Sequence, residues 1–312
     1  MIKPCLIALD WGSTRFRAWL LDSKGIEIDS IDEEFGILNI NNSQYINVFD
    51  QLLGSWIKEY GSIPVIASGM IGSRQGWKEA PYLECPAGPE QLSQNLTFLN
   101  INTELIKNPL SMAIVPGIKI FENGIPDVMR GEETQVAGLL WSNHQVDLCI
   151  FPGTHSKWIL LNEGRIENFM TFMTGEIFSL MAKHSIVNRL MDGTSFKRDD
   201  FIIGCKQSLN SSYGLLKLIF NARTMGLFDK VMPKGIHSYL SGIMIGSEIK
   251  DGIKFFYNNS GDKEKKIILN GENSLCNLYK IAFELADVKI KFEKNNVVAK
   301  GLFQIANTAF LK

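Results

Sequence analysis

The first thirty or so residues alternate between short apolar runs and tight polar turns. Residues 6–9 are continuously apolar and read as a short buried strand. Asp10-Trp11-Gly12-Ser13-Thr14 makes a turn, residues 16–21 a second strand, and Asp22-Ser23-Lys24-Gly25 a second turn. Residues 26–31 alternate in polarity and make a third strand. The pattern predicts an antiparallel meander. It returns mid-chain: residues 148–151 are a strand, Pro152-Gly153-Thr154-His155 a turn, residues 157–161 a strand and Asn162-Glu163-Gly164 a turn. Trp19 and Gly25 have the spacing of Trp158 and Gly164, which makes the second loop two residues shorter than the first. Such self-similarity predicts two related domains whose hairpins face each other across a cleft.

Between the hairpins, residues 45–60 carry apolar side chains at helical spacing. Residues 64–67 and 112–115 read as buried strands, and a helix runs from Glu132 to about Trp141. Beyond the second hairpin the spacing predicts helices over 177–184, 212–225 and 238–257, a strand over 267–269 and a helix over 273–285. Residues 258–266 are polar and read as a solvated loop.

The chain has 312 residues, more than one core usually serves. Two α/β domains are expected, 1–142 and 143–312. A formal net charge of -1 offers no basic field for a nucleic-acid backbone. No apolar run reaches membrane-spanning length. The first residues lack the apolar stretch and cleavage site of a signal peptide, so a cytoplasmic protein is expected. The five cysteines are scattered, which argues against a disulfide framework or zinc site; Cys5 and Cys149 read as small core residues.

Chemistry concentrates in three places. In the first loop, Gly12 lets backbone approach an anion, and N–H groups with the Ser13 and Thr14 hydroxyls can cradle phosphate oxygens. Asp10, ending a strand, can hold Mg²⁺ directly or through water. The same residue types also populate ordinary turns. The second loop, with Gly153 and Thr154, repeats the device, and together the loops would grip both ends of a triphosphate. Phe151-Pro152 stands where an acid would match Asp10, so metal binding falls mainly to Asp10. The third place is Met129-Arg130-Gly131-Glu132-Glu133. Acids in a first helical turn suit the macrodipole; alternatively, Glu132 or Glu133 is a general base for an acceptor hydroxyl.

These elements resemble the actin-like kinase and phosphatase superfamily, with its two ribonuclease H-like domains. More closely, the chain resembles the 2-dehydro-3-deoxygalactonokinase family. The likeness rests on Ala8-Leu9-Asp10-Trp11-Gly12-Ser13-Thr14 with Arg17-Ala18-Trp19, and on Gly69-Met70-Ile71-Gly72-Ser73. It continues through Gly76-Trp77-Lys78, Ala80-Pro81-Tyr82-Leu83 and Val128-Met129-Arg130-Gly131-Glu132-Glu133-Thr134-Gln135. Pro152-Gly153-Thr154-His155 with Lys157-Trp158, Met173-Thr174-Gly175-Glu176, and Leu240-Ser241-Gly242 with Ile245-Gly246 complete it. Residues 188–215 carry no matching block. The resemblance implies transfer of the ATP γ-phosphate to 2-dehydro-3-deoxy-D-galactonate, giving the 6-phosphate in galactonate catabolism.

The acceptor's carboxylate calls for arginine: Arg17 and Arg130 first, Arg74 after them. Ser73 and Trp77 lie in the same blocks; Trp77 either covers an apolar face of the substrate or belongs to the core. Lys157 would neutralise charge on the transferring phosphoryl group, or is a solvated strand lysine. His155 either bonds a phosphate or fixes its own loop. By the superfamily pattern Gly271 and Ser274 touch adenosine; a helix N-cap at Asn273 or Ser274 explains them equally. The implied partners are ATP, Mg²⁺ and a sugar acid, with no nucleic acid or membrane. Oligomeric state is open, a homodimer included. Another 2-keto-3-deoxy sugar acid as substrate, a non-catalytic sugar-acid sensor and a phosphohydrolase of the same fold are the competing readings.

Overall fold

The protein is described here from a computed structural model covering residues 3–41, 44–106, 109–142, 145–258, 265–293 and 297–311. It forms two compact units. The first comprises Met1–Gln145, Leu161–Asn168 and Asn295–Lys312; the second comprises Val146–Leu160 and Phe169–Lys294.

The first unit begins with the expected meander, β1 (Pro4–Trp11), β2 (Phe16–Asp22) and β3 (Glu27–Glu33). Then come α1 (Tyr45–Tyr60), β4 (Val65–Ser68), β5 (Leu83–Glu84), α2 (Pro89–Gln94), β6 (Thr97–Ile101) and β7 (Leu110–Ile114). β8 (Ile118–Glu122), β9 (Ile125–Met129) and α3 (Glu132–Trp141) follow. The main sheet has the order β3-β2-β1-β4-β7-β6, and β5-β8-β9 form a small second sheet. β1 pairs antiparallel with β2 and parallel with β4. It is central and covered on both faces, which is why it is almost continuously apolar. The apolar face of α1, with Phe49, Leu53, Trp56 and Ile57, packs on Ile7, Leu9 and Val65.

The second unit holds β10 (Leu148–Phe151), most of β11 (Ser156–Asn162), the second half of β12 (Arg165–Phe172), whose joined ends at Leu161–Asn168 fall in the first unit, and α4 (Thr174–His184), α5 (Arg198–Asn210) and α6 (Leu215–Leu227). α7 (Ile236–Asn258), β13 (Ile267–Asn270), α8 (Asn273–Leu285) and β14 (Lys291–Glu293) complete it. Its sheet runs β12-β11-β10-β13-β14. That is the order β3-β2-β1-β4-β7 of the first sheet, so the repeat read from the hairpins extends through five strands. Strand register corrects one detail of that repeat. Asp10 lies opposite Arg17, and Phe151 opposite Lys157. With Gly12 set against Gly153, the second loop is one residue shorter, not two. Trp158, opposite Ile150, then matches Ala18 opposite Leu9, not Trp19. Trp158 is fully buried among Phe172, Phe256 and Phe283.

Two stretches differ from the sequence reading. The helix expected over 212–225 is α6, but α5 before it lies where no pattern was assigned. The mean hydropathy of α5 is low because charged and polar residues outnumber its buried Phe201, Gly204, Cys205 and Ser208. The solvated loop expected over 258–266 falls largely outside the described residues.

The last helix, α9 (Val297–Ala309), belongs to the first unit, whereas a single cut after residue 142 assigns it to the second. It packs on α3 through two glycines. A Cβ on Gly138 would lie 1.8 Å from the Val297 carbonyl oxygen, and one on Gly301 would lie 1.9 Å from the Thr134 carbonyl oxygen. α9 therefore backs the helix that carries Glu132 and Glu133. Gly138→Ala or Gly301→Ala should push the two helices apart and cost about 1–3 kcal/mol or more, the usual range for overpacking. Urea unfolding checks this; an unchanged midpoint in both variants would contradict the close crossing.

Candidate functional site

The loop after β1 is fixed from beneath. Trp11 is fully buried, donates its indole N–H to the Phe35 carbonyl at 2.7 Å, and meets Phe16, Tyr45 and Trp77 edge-on. The loop carbonyls are all used: Gly12, Ser13 and Thr14 accept from the amides of Ile37, Leu38 and Gly36. Among the described residues, no hydrogen bond takes the amides of Ser13 and Thr14. The Gly12 amide donates to the Arg15 carbonyl, and a loop with its acceptors tied back and two further amides to offer suits an anion.

Asp10 is mostly buried at the end of β1, and Arg17 donates Nη2–H to its Oδ2 at 2.5 Å. Burial pushes the Asp10 carboxyl above its ordinary range, and Arg17 pulls it back. Ser68 lies opposite Asp10 in register on β4, and a Cβ on the next residue, Gly69, would be 3.1 Å from Asp10 Oδ1. Gly131 in turn lies beside Gly69. Arg130 donates Nη2–H to the Ala80 carbonyl at 2.8 Å, and its guanidinium sits 4.4 Å from the centre of the Tyr82 ring. Among the described residues, Arg17 Nε, Ser68 Oγ, Ser73 Oγ, Arg130 Nε and Arg130 Nη1 are buried without a hydrogen-bond partner. Unsatisfied buried groups are costly, and their concentration in one neighbourhood marks a polar site.

The structure separates the other expected residues. Trp77 stacks on Tyr45 at 5.6 Å and abuts Phe49, so much of its ring belongs to the core. Arg74 is highly exposed and reaches only Glu79, at 3.9 Å. Ser68, Gly69 and Tyr82 join the neighbourhood. Tyr82 and Gly69 lay inside the family blocks, but no local pattern marked Ser68, which ends an ordinary apolar strand.

At α3, Gly131 is the N-cap with φ +113°, a conformation only glycine adopts readily. Its N–H donates to Glu133 Oε2 at 2.7 Å, and the Thr134 hydroxyl donates to Oε1 at 3.2 Å. Glu133 is fully buried; Glu132 is half-buried. Burial, followed by repulsion from Glu132, raises the Glu133 carboxyl to about 8; the nearby backbone N–H groups and Arg130 oppose this.

In the second unit, the Thr154 carbonyl accepts from the Glu176 amide at the start of α4, and His155 Nε2 pairs with Glu176 Oε2 at 2.5 Å. Gly175 permits this approach, since a Cβ there would lie 2.5 Å from the Gly153 carbonyl oxygen. His155 thus fixes its own loop. Lys157 is buried, with Nζ donating to the Thr171 hydroxyl at 2.6 Å, so it is no solvated strand lysine. Gly153 and Thr154 line a cavity of ≈ 1080 Å³ within this unit, together with Thr174, Ser274, Leu278 and Tyr279. Gly271 lies against Pro152. The cap of α8 is Glu272, not Asn273 or Ser274: its carboxylate accepts from the amides of Ser274 and Leu275 and from the Ser274 hydroxyl.

Among the described residues, no group of three His, Cys, Asp or Glu side chains could hold a metal, and no helix is long and apolar enough to cross a membrane.

The buried Glu133 has a stability signature. Its folded pKa, about 8, exceeds the ordinary 4.5, so the unfolded chain releases this proton first. Its contribution therefore falls as pH rises from 4.5 through 8. The melting temperature of Glu133→Gln should decline less than that of the wild type between pH 6 and pH 8.5. Parallel declines would mean that Glu133 is already ionised at pH 6.

Comparison with known proteins bears on the family and the fold. The sequence profile of the 2-keto-3-deoxy-galactonokinase family matches residues 10–305. The 2-dehydro-3-deoxygalactonokinase of Escherichia coli K12 is 32% identical over 243 residues, 78% of each chain. The crystal structure of a Sinorhizobium meliloti protein, described as a "putative 2-dehydro-3-deoxygalactonokinase", superposes with a TM-score of 0.88 at 29% identity. It covers 98% of this chain and 99% of its own. Gluconate kinase from Lactobacillus acidophilus shares the fold, with a TM-score of 0.55 at 9% identity, over 99% of this chain and 89% of its own. The fold is thus the actin-like α/β fold of sugar kinases, and the chain belongs to the 2-keto-3-deoxy-galactonokinase family: it is a sugar-acid kinase, a phosphotransferase.

Proposed function

We propose that the protein transfers the γ-phosphoryl group of ATP to the 6-hydroxyl of 2-dehydro-3-deoxy-D-galactonate. The observation that carries this reading is the neighbourhood of Asp10. Two arginines and two serines there hold buried polar atoms without partners, which suits an acceptor bearing a carboxylate, a ketone and hydroxyls. Arg130 binds the carboxylate, while Arg17 divides its fork between the acid and Asp10.

ATP occupies the cavity of the second unit. Its base lies against Leu275 and Leu278, and its phosphates lie toward Gly153 and Thr154. Ser274 and Gly271 flank the sugar of the nucleotide. In the first unit, the amides and hydroxyls of Ser13 and Thr14, beside Gly12, form a phosphate cradle of their own. Lys157, two residues beyond His155, adds positive charge next to the second loop.

Asp10 would hold a Mg²⁺ ion through the oxygen that Arg17 leaves. When bound, the ion would neutralise charge on the triphosphate. A carboxylate of the first turn of α3 accepts the proton of the 6-hydroxyl. That oxygen forms its bond to the γ-phosphorus as the bond to the β,γ-bridging oxygen breaks, and ADP leaves. Glu133 has the perturbed carboxyl and Glu132 the access.

A panel of 2-keto-3-deoxy sugar acids in an ADP-release assay tests the substrate. The galactonate derivative should have the highest kcat/KM, by roughly tenfold or more over an epimer that loses one or two hydrogen bonds. Equal turnover of the epimers, or ADP release independent of any acid, would sink the reading. Arg130→Ala should raise the KM for the acid, by about 2–5 kcal/mol if the pair is buried, and spare the KM for ATP. Asp10→Asn should remove most turnover with the fold intact. For the base, the true carboxylate should lose about 10²–10⁴ in kcat as Gln. If it is Glu133, wild-type kcat should also rise with pH through about 8. A flat profile there, with the loss in Glu132→Gln, assigns Glu132; retention of more than about a tenth of kcat in both removes the pair from proton transfer.

A further inference from the structure

Beneath the cavity of the second unit lies a fully buried carboxylate that the reaction described above does not use. Glu248 sits in the middle of α7 at 3% exposure. Its Oε1 accepts from the Ser156 hydroxyl at 2.7 Å and from the Trp158 indole N–H at 2.8 Å. Its Oε2 accepts from the Tyr279 hydroxyl at 2.5 Å, and the Thr174 hydroxyl is a fourth partner. Burial pushes the carboxyl up, and these four hydrogen bonds oppose the shift. No cation is among these partners.

The four donors come from three elements that shape the cavity. Ser156 follows the loop carrying Gly153 and Thr154. Thr174 opens α4, whose first turn buckles to that loop through Glu176. Tyr279 is on α8, seven residues past its cap at Glu272. Thr174 and Tyr279 also line the cavity. One side chain thus ties the strand after the 152–155 loop, the start of α4 and the middle of α8 to the central helix α7. A hydrocarbon residue here would leave four buried donors unpaired, a cost that the fold avoids only with an acceptor of this capacity.

We infer that Glu248 is the positioning residue of the nucleotide pocket, setting the spacing between the 152–155 loop and α8 through Ser156, Trp158, Thr174 and Tyr279. The inference rests on the reading of this cavity as the nucleotide site. It makes a directional claim: loss of the four-donor carboxylate should weaken nucleotide binding before it weakens acid binding or chemistry.

Glu248→Gln is the informative change. It keeps size, but one face becomes a donor. The Trp158 indole can only donate, so the amide oxygen must turn toward it. The Tyr279 hydroxyl, on the opposite oxygen, must then reverse to accept.

The test uses ADP binding by calorimetry and steady-state kinetics on the full chain. Expected for Glu248→Gln are a roughly tenfold or larger rise in the ADP Kd and the KM for ATP, a sugar-acid KM within about twofold, and a smaller loss in kcat. Tyr279→Phe, which removes one donor and little volume, should shift the ADP Kd the same way by less. Leu278→Trp, which fills the cavity, separates the two layers of the argument. If the wild type binds no ADP, or Leu278→Trp binds it as well as the wild type, the cavity is not the nucleotide site and the inference falls with that reading. If Leu278→Trp abolishes ADP binding but Glu248→Gln and Tyr279→Phe leave the Kd within twofold, the cavity reading stands and the role of Glu248 is refuted. A rise in both KM values in parallel with a lower melting temperature would equally refute it, because that is the mark of a general brace. Should Glu248→Gln fail to fold, the Tyr279→Phe result alone decides.

Discussion

A carboxylate taken out of water must be given hydrogen-bond donors or a cation, or it will hold its proton. That constraint shapes the chemistry-bearing parts of both units. Asp10 meets it with one arginine at 2.5 Å. Glu133 meets it with a backbone N–H and a hydroxyl, which do not suffice, and its carboxyl rises to about 8. Glu248 meets it with four neutral donors. The three solutions suit three kinds of work. An arginine-paired acid, its carboxyl still raised by burial, can face a cation. An under-satisfied acid titrates near neutral pH. An acid ringed by neutral donors becomes a fixed node.

Each solution demands something of the backbone around it. The hydrogen bond from Gly131 to Glu133 exists because the N-cap adopts φ +113°, and that residue also rests on Gly69, which rests on Asp10. The acid-started helix is therefore registered to the end of β1 through glycines, with no side chain intervening. Its opposite side is held by α9, where two more glycines bring backbone against backbone. A rigid attachment on both sides keeps a charged first turn in place, which its own capping could not do at about 1 kcal/mol.

How much of this was legible in the sequence differs by layer. The two hairpins, α1, β4, β7, α3 and α8 follow from periodicity, because each presents one apolar face or is apolar throughout. α5 was hidden by its polar composition. α9, in contrast, has a strong apolar stripe through Val298, Leu302, Ile305 and Ala306 and could have been found; its attachment to the first unit could not, since that depends on tertiary contact with Gly138. The glycine loops, Asp10, Arg17 and Arg130 were legible as motifs. What could not be read was which atoms would be left over. Ser68 is an ordinary strand-ending serine until its register opposite Asp10 is known. Trp77 looks like a ligand-facing loop aromatic until its stacking on Tyr45 is seen. Glu248 lies in a long helix whose sequence gives no sign that four donors, from residues 156 to 279, converge on it.

The repeat explains why the two units divide the work as proposed. Their sheets share one strand order through five strands. Register sets Arg17 against Lys157, a cation on the second strand in each case, while Asp10 is matched by Phe151. In the first unit the cation faces an acid, and the pair leaves polar atoms around it unsatisfied. In the second unit the acid position is apolar, Lys157 turns to Thr171 instead, and the buried acid comes from a different element, α7. The buried carboxylate thus moves from the strand end to the helix behind it, and the acid left beside the loop, Glu176, is paired with His155. On that reading a phosphate approaching Gly153 and Thr154 would meet loop backbone and a nearby lysine, while the buried carboxylate of Glu248 is held by four hydrogen-bond donors. On the proposed reading the same hairpin would serve an acid suited to a metal in one unit and a phosphate grip in the other, and the difference lies in where each buries its carboxylate.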